Sequence, residues 1–301
     1  MSSWAVPATA FALACVAPFA APGVTPSRAP PPPTHPVHVV ALGLPADELA
    51  LALIDTARIA ALDRFADDEG ASNVVEPARS VSRRVVVSAE AIAAVDPDLV
   101  LLPAWTGADL DAALHRFGIA TLRIGTPTNV EDVRVSIRTV AAALDAHDRG
   151  EALIADMDAS LAHTHARCGG QPRRTALVDA GSGLSPGAHT LLAELVQIAG
   201  GELLLARQGL SGLVPLSLER ELSLDPDVLL VDAYRADARA RGIVDATRAA
   251  HGLDPRLLVL RAVANGDVRP LHARLLLTTT HHIASTADAL CDALHARGPS
   301  S

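Results

Sequence analysis

Aromatic and polar side chains that could hold a bound molecule follow directly after two predicted strands. Trp105 and Thr106 come after one aliphatic run, and Tyr234 and Arg235 come after another. In open α/β sheets, ligands bind beyond the carboxyl ends of the strands. The chain has only two tryptophans and one tyrosine, so an indole in a polar loop is expected to stack on a ligand, with packing in the core as the alternative. Tyr234 could ligate ferric iron or hydrogen-bond the ligand, and Arg235 could pair with carboxylates.

Histidine is the other residue type that could contact a ligand or a metal. His189 follows the glycine-rich loop Asp179–Gly187, whose backbone amides could bind an anion at the start of a helix. His281 and His282 precede the last predicted helix, and His281 is a candidate to face a ligand. The spacing of these residues supplies no tetrahedral ligand set. We therefore predict no resident metal site.

The sequence lacks features that several other classes of protein need. It contains no nucleophile elbow and no HExxH motif, and it has no lysine that could bind a phosphate. The third glycine of the glycine-rich loop is displaced from the dinucleotide fingerprint, so nucleotide binding is not expected. A net charge of -9 argues against a nucleic-acid partner. These features predict neither a catalytic site nor a resident cofactor.

The three cysteines are far apart in the sequence. Cys15, Cys168 and Cys291 predict neither a disulfide framework nor a CxxC metal site. Cys15 ends the segment Ala-Leu-Ala-Cys, which resembles the cleavage box of bacterial lipoproteins and predicts a lipid anchor on this residue. A plain secretion signal or a misplaced start codon is the alternative, because no Arg or Lys precedes the cysteine. Residues 1–21 are thus expected to form a signal peptide, and the proline-rich residues 22–36 an extended tether.

One unit of sequence occurs twice in the chain. Ser88–Leu102 and Ser217–Val231 share a serine, a glutamate two positions later, and Asp-Pro-Asp followed by aliphatic residues. The serine is expected to cap a short helix, with the glutamate in its first turn and the proline beyond its end. The unbroken aliphatic run is typical of a strand buried on both faces of a parallel sheet. Two copies predict two α/β lobes with a cleft for a ligand between them.

Strands and helices alternate along the rest of the chain, which predicts mainly parallel sheets flanked by helices. The first α/β lobe is expected at residues 37–146 and the second at residues 169–298. Residues 147–168 have a helical pattern with few breakers and are predicted to form one long backbone helix that joins the lobes. His163, His165 and Cys168, near the end of this helix, are expected at the surface. Other predicted elements are a helix from Ala188 to Ala199 and a strand at Leu257–Leu260.

The order of these segments resembles one known family, the periplasmic substrate-binding proteins of ABC importers for iron-siderophores, haem and cobalamin. The segments that carry the resemblance are Arg58–Leu62, Ala91–Leu101, Leu191–Gly201, Leu222–Val231 and Ala262–Val268. The resemblance covers about residues 37–296 and implies two lobes bridged by a single long helix. It also implies a monomeric receptor outside the cytoplasm that delivers a metal chelate to a membrane permease with its ATPase.

The resemblance also implies roles for individual residues. Phe65 matches a position that is often aromatic in the family, and Glu90 and Glu219 match the glutamates that dock onto arginines of the permease. These two glutamates are equivalent in the internal repeat, so they could engage a two-fold symmetric partner. The alternative is that each only complements a helix dipole. Arg84 and Leu213 stand near positions that are aromatic in cobalamin binders, which argues against cobalamin.

Two other functions remain open from the sequence. One is an enzyme on a similar two-lobed scaffold, such as a chelatase or a hydrolase that acts at the cleft. The other is an orphan receptor that binds the same class of ligand without a dedicated permease.

Overall fold

The computed structural model of the protein describes residues 30–180, 182–232 and 255–295. Cys15, Tyr234 and Arg235 lie outside the described residues, as do the predicted signal peptide and part of the predicted tether. Within the described ranges, none of the helices combines the length and the apolar character that a membrane span requires.

The first lobe contains a parallel sheet of five strands in the order β3–β2–β1–β4–β5. The strands are β1 Val39–Ala41, β2 Ile59–Asp63, β3 Arg84–Val85, β4 Leu99–Pro103 and β5 Ala120–Ile124. Successive residues of β1 and β4 belong to hydrophobic clusters on opposite faces of the sheet; Val40 and Val100 pack on one side, and Val39 and Leu99 on the other. Both faces are therefore covered, as the unbroken aliphatic run of β4 predicted.

The second lobe contains a parallel sheet of four strands in the order β11–β10–β6–β8. The strands are β6 Arg174–Asp179, β8 Gly201–Leu203, β10 Val228–Asp232 and β11 Val268–Leu271. A separate antiparallel pair is formed by β7 Leu184–Pro186 and β9 Leu213–Pro215. Leu229 and Leu230 of β10 belong to different hydrophobic clusters, so this sheet is also buried on both faces.

Helices flank both sheets and follow the strands in alternation. In the first lobe they are α1 Leu44–Leu53, α2 Val75–Ala78, α3 Ala89–Ala93, α4 Ala108–Arg116 and α5 Val130–Ala143. The described residues of the second lobe form α7 Leu191–Ile198, α8 Leu204–Arg207, α9 Leu218–Leu224, α10 Arg261–Ala264, α11 Ala273–Leu276 and α12 Ile283–His295. Short 3₁₀ segments occur at Thr56–Arg58 and Pro255–Val259. The predicted α/β fold with two mainly parallel sheets is confirmed.

One long helix, α6 (His147–Cys168), joins the lobes and has 22 residues. It packs against α1 and α5 of the first lobe and against α7 and α12 of the second. Its buried side chains include Ile154, Met157 and Leu161, which belong to a hydrophobic cluster that continues into both lobes. The two lobes are therefore connected by a shared core as well as by the chain.

The two copies of the repeated unit have the same helix cap and the same backbone conformation before the proline. Ser88 and Ser217 cap α3 and α9, because each hydroxyl accepts a backbone N–H three residues later at 3.3 Å. Asp96 and Asp225, which precede the prolines, both have left-handed backbone angles, with φ of 52° and 45°. The position before a proline disfavours the right-handed helical region. α9 ends directly before Asp225, whereas α3 ends at Ala93 and is followed by a turn in which the backbone N–H of Asp96 donates to the carbonyl oxygen of Ala93 at 3.0 Å.

The last residue of each Asp-Pro-Asp segment ties its unit to the central strands of its own lobe. Asp98 accepts a hydrogen bond from the backbone N–H of Val37, just before β1, at 2.7 Å. Asp227 accepts one from the backbone N–H of Thr175, in β6, at 2.8 Å. β4 pairs with β1 and β10 pairs with β6, so the same contact recurs at equivalent places. The internal repeat in the sequence thus corresponds to a repeat of tertiary structure.

The predicted strand at Leu257–Leu260 is wrong. This segment belongs mainly to the 3₁₀ helix Pro255–Val259. Leu257 and Leu260 are buried whereas Val259 is exposed, and a spacing of three residues fits a 3₁₀ turn. A short run of aliphatic residues cannot be assigned to strand or helix from periodicity alone.

The predicted helix from Ala188 begins three residues later, at Leu191, because Thr190 provides its N-cap. The backbone N–H groups of Gly187 and Ala188 instead donate to carbonyl oxygens of the segment 210–212, at 2.8 and 2.7 Å. These two amides are consequently not available to an anion. The anion site predicted at this loop therefore lacks two of its donors.

The prediction that the cysteines do not form disulfides is also wrong. Cys168, at the end of α6, and Cys291, in α12, form a disulfide, with their Cα atoms 5.9 Å apart. Both cysteines are buried, so the predicted surface position of Cys168 is incorrect, whereas His163 and His165 are exposed as predicted. A pair separated by 123 residues in sequence becomes evident only once α6 and α12 are packed together.

Candidate functional site

The carboxyl edge of the first sheet is organised by a buried aspartate. Asp63, at the end of β2, accepts a hydrogen bond from the backbone N–H of Gly43, which follows β1, at 3.1 Å. Its other carboxyl oxygen accepts the backbone N–H of Phe65 at 2.9 Å. The backbone N–H of Asp63 in turn donates to Asp47 of α1 at 3.0 Å. Asp63 thereby fixes the turns after two neighbouring strands relative to one another.

The indole of Trp105 lies over the turn at Gly43. A Cβ atom at position 43 would lie 3.5 Å from Cζ2 of Trp105 and 3.1 Å from Cγ of Pro103, and the φ angle there is +77°. Both the close approach and the backbone angle favour glycine. The Trp105 residue is nevertheless 68% exposed. It presents an aromatic surface at the middle of the carboxyl edge, next to the half-buried Thr106.

A second exposed aromatic residue lies after β2. Phe65 is 46% exposed, and the guanidinium carbon of Arg64 lies 4.4 Å from the centroid of its ring. β1 lies between β2 and β4 in the sheet, so the loops that carry Phe65 and Trp105 flank the Gly43 turn, with their strands about 10 Å apart. The sequence pattern predicted Phe65 as a ligand contact but not Arg64, although the two residues are adjacent. Two aromatic surfaces and a cation suit a flat ligand that carries carboxylates.

The second lobe contributes an apolar surface beyond the carboxyl end of β6. In the β7–β9 pair, Ser185 and Val214 are opposite each other and buried. The alternate positions lie on the other face of the pair and are exposed or partly exposed; they are Leu184, Pro186, Leu213 and Pro215. His189 follows β7, is exposed and has a left-handed backbone with φ of 56°.

A buried cluster of hydrogen bonds links the two lobes. Glu48 of α1 is buried, and one of its carboxyl oxygens accepts a hydrogen bond from the side chain of Asn73 at 2.9 Å. Asn73 also donates to the backbone oxygen of Arg274 in the second lobe at 3.0 Å. The other oxygen of Glu48 accepts hydrogen bonds from the hydroxyls of Thr278 and Thr280. Here α1 of the first lobe is joined to the segment that precedes α12.

His281 and His282 lie next to this cluster. Their ring centroids are 4.0 Å apart. Burial lowers the pKa of His281 to about 3, and the nearby His282 acts in the same direction. Burial also lowers the pKa of His282, although Glu48 opposes that shift. His281 is therefore a neutral, partly buried imidazole at pH 7, which could hydrogen-bond a ligand but could not pair with its carboxylates as a cation.

A metal ion bound by the protein alone needs several ligating side chains close together. Within residues 30–180, 182–232 and 255–295, no group of three or more His, Cys, Asp and Glu side chains is arranged to hold a metal ion.

Comparison with known proteins decides the family. A family model described as periplasmic binding protein matches residues 39–275. The chain belongs to this family. The resemblance predicted from the sequence is thereby confirmed, and a periplasmic or other extracytoplasmic location follows from it. Members of the family are solute receptors, which supports the binding-protein interpretation over the enzyme alternative. Among curated proteins, none matches this periplasmic binding protein in sequence.

Solved structures with the same fold include several periplasmic binding proteins. The periplasmic haem-binding protein BhuT, solved with two haems, is 25% identical, with 85% of this chain and 98% of that chain covered and a TM-score of 0.69. The periplasmic haem-binding protein RhuT from Roseiflexus sp. RS-1 is 22% identical over 86% and 99% of the two chains, with a TM-score of 0.68. The vitamin B12-binding protein BtuF of Vibrio cholerae is 17% identical over 86% and 96%, with a TM-score of 0.64.

Glu90 and Glu219 have matching environments in this periplasmic binding protein. Each is exposed in the first turn of its helix, α3 or α9. Hydrogen bonds from the backbone N–H of the glutamate itself and from the hydroxyl of the capping serine, Ser88 or Ser217, lower the pKa of each carboxyl group. A helix between parallel strands begins at the carboxyl edge of the sheet. α3 lies between the parallel strands β3 and β4, so Glu90 lies at the carboxyl edge of the first sheet, whereas α9 follows β9 and leads into β10. Both carboxylates are ionised at neutral pH, because the pKa of each is lowered.

Proposed function

We propose that this periplasmic binding protein is the receptor of an ABC importer and binds a flat metal chelate, haem in the first place, between its two lobes. The observation that carries the proposal is the exposed indole of Trp105, held over the Gly43 turn at the carboxyl edge of the first sheet. A flat conjugated ring system stacks favourably on an indole. Arg64, which stacks on the exposed ring of Phe65, supplies a cation for ligand carboxylates.

The comparison with BhuT supports haem over the other chelates. BhuT was solved with two haems and is 25% identical to this chain. Cobalamin binders have aromatic residues near the positions of Arg84 and Leu213, and neither residue is aromatic here, which argues against a corrinoid. Ferric siderophores belong to the same ligand class and serve as the comparison in the experiment below. Proposed ligand contacts besides Trp105 are Phe65, Thr106, His189, Tyr234, Arg235 and His281.

Truncation of Trp105 is expected to weaken ligand binding. Because an aromatic stacking contact contributes about 1–2 kcal/mol once its area is included, the Kd for hemin should rise about 5- to 30-fold in the Trp105→Ala variant. Titration of the hemin absorbance band against the full-length protein measures this. Phe117→Ala is the matched control, since Phe117 is also an exposed aromatic residue (55%). It follows the end of α4 and lies at the amino ends of the strands, away from the proposed site.

The same titration tests the receptor proposal as a whole. A panel of hemin, a ferric hydroxamate siderophore and cyanocobalamin covers the ligand class. If none of the three binds to the wild-type protein, the proposal that it carries a metal chelate is wrong. If hemin binds equally well to the wild type and to Trp105→Ala, the site lies elsewhere.

We also propose that Glu90 and Glu219 dock the receptor on its permease. The proposal is supported by their equivalent positions in the two lobes, their exposure and their ionised state at neutral pH. Arginine pairs with a carboxylate through two parallel hydrogen bonds, so one arginine on each half of a two-fold permease would match the two sites. Neither glutamate is needed for the cap itself, because the serine hydroxyl accepts the helix N–H.

Charge reversal at both docking positions should abolish delivery but not ligand binding. The double variant Glu90→Arg, Glu219→Arg places cations against the proposed arginines of the permease. Like charges that face each other at an interface weaken binding by several kcal/mol. We expect uptake of hemin by cells to fall at least about tenfold, while the Kd for hemin in solution stays at the wild-type value. Asp156→Arg, an exposed reversal on α6, is the control. Wild-type uptake by the double variant would contradict a docking role.

The proposed organisation of the chain follows from the same assignment. We propose a signal peptide at residues 1–21, a tether at 22–36, lobes at 37–146 and 169–298, and the connecting helix at 147–168. Cys15 is the proposed site of lipidation, and the receptor is proposed to act as a monomer. The Cys168–Cys291 disulfide supports an extracytoplasmic location, since disulfides are rare in reducing compartments. Incorporation of labelled fatty acid into the wild type but not into Cys15→Ala would test the anchor.

A further inference from the structure

The side chain of one arginine hydrogen-bonds the loop that carries Trp105 and fixes it against the rest of the first lobe. Arg123 lies on the edge strand β5 next to β4, and its guanidinium reaches the loop that connects β4 to α4. It donates to the backbone oxygens of Thr106 at 2.7 Å, of Gly107 at 3.3 Å and of Ala104 at 3.4 Å. Residues on both sides of the tryptophan are thus bonded to the same side chain.

The guanidinium is itself fixed from the other side. Its Nε donates to Asp111 of α4 at 2.7 Å. The other oxygen of Asp111 accepts the hydroxyl of Thr121 at 2.6 Å, and that hydroxyl also hydrogen-bonds the ring of His115 at 2.9 Å. Partial burial acts to raise the pKa of Asp111, but the hydrogen bonds from Thr121 and Arg123 outweigh it and lower the pKa. Asp111 therefore stays ionised and holds Arg123 in a single orientation.

This arrangement explains how an exposed tryptophan can keep a defined position. Trp105 is 68% exposed, so little packing holds its side chain. Three neighbouring carbonyl groups are bonded to one planar group, and only the fork of an arginine offers enough donors in fixed directions for this. Ordering a loop and a large side chain when a ligand binds lowers affinity, and a loop that is ordered beforehand avoids that cost.

We infer that Arg123 is a positioning residue for ligand binding, which holds the loop 104–107 so that the Trp105 indole is in place over the Gly43 turn before the ligand arrives. This inference rests on the proposed function of Trp105 as a ligand contact. Arg123 itself need not touch the ligand.

The first experiment needs no ligand. In the full-length chain with Trp4→Phe, Trp105 is the sole tryptophan, and time-resolved fluorescence anisotropy reports its local motion. Arg123→Gln should increase the amplitude of the fast depolarisation. Arg123→Lys, which keeps the charge but offers no planar fork, should do the same and serves as the second variant if Gln disturbs folding. Arg138→Gln, which breaks an ion pair with Glu151 away from the loop, should leave the anisotropy unchanged.

The second experiment measures hemin binding by the same variants. Loss of one ordered loop and side chain should raise the Kd roughly 3- to 10-fold in Arg123→Gln and Arg123→Lys. Unchanged anisotropy in both variants overturns the inference, as does unchanged affinity when Trp105→Ala weakens binding. If Trp105→Ala itself binds hemin like the wild type, the proposed function fails, whereas the anisotropy result still decides whether Arg123 holds the loop.

Discussion

Replacing both Cys168 and Cys291 by alanine should lower the free energy of unfolding by about 5 kcal/mol. The disulfide closes a loop whose ends are 123 residues apart, and a crosslink of this length removes much conformational entropy from the unfolded chain. The bond also joins the end of α6 to α12, so it restrains the connecting helix against the second lobe. Urea denaturation of the double variant and the wild type, both without reductant, measures the difference.

Two controls separate the crosslink from the loss of two buried side chains. The wild type in the presence of a thiol reductant keeps the cysteines but lacks the bond, and it should lose most of the same stability. Thiol titration of the unfolded wild type should detect at most one thiol, that of unmodified Cys15, because a cysteine with a lipid on its sulfur has no free thiol. Detection of two further free thiols, or equal stability of variant and wild type, would refute the structural role of the bond.

The second large effect is expected at the buried carboxyl group that joins the lobes. Glu48→Ala should cost about 2–4 kcal/mol of unfolding free energy, because the amide of Asn73 and the hydroxyl of Thr280 would each lose a buried acceptor. Glu48→Gln keeps one acceptor oxygen and should cost less. Denaturant unfolding at pH 7 measures both changes.

Glu76 provides the control for this substitution. Its side chain is 78% exposed and it belongs to α2 in the same lobe. Glu76→Ala should change the unfolding free energy by no more than about 0.5 kcal/mol, as is usual for a surface position. A cost as small at Glu48 would mean that the hydrogen bonds between the lobes contribute little to stability.

Much of the fold could be predicted because its signals are local in sequence. The capping serines at positions 88 and 217, the two Asp-Pro steps and the aliphatic runs after them specify a helix followed by a buried strand without reference to the rest of the chain. The connecting helix could be predicted equally well, since a helical pattern over 22 residues is too long for a strand. The prediction of a strand at Leu257–Leu260 failed because four consecutive aliphatic residues show neither the period of a strand nor that of a helix.

The site was less predictable because its geometry depends on contacts between distant positions. Trp105 could be selected from its type and its place after a strand, but the need for glycine at position 43 appears only when the indole lies over that turn. Arg123 gives no sequence signal for its contacts with the loop 104–107. The cluster at Glu48 combines positions 48, 73, 278 and 280, and no spacing rule connects these residues.

The continuous packing through α6 has a consequence for how the protein unfolds. Ile154, Met157 and Leu161 of α6 are buried in one hydrophobic cluster to which side chains of both lobes contribute. Separation at the connecting segment would expose this apolar seam to water on each fragment. We therefore expect the two lobes to unfold together, in a single transition.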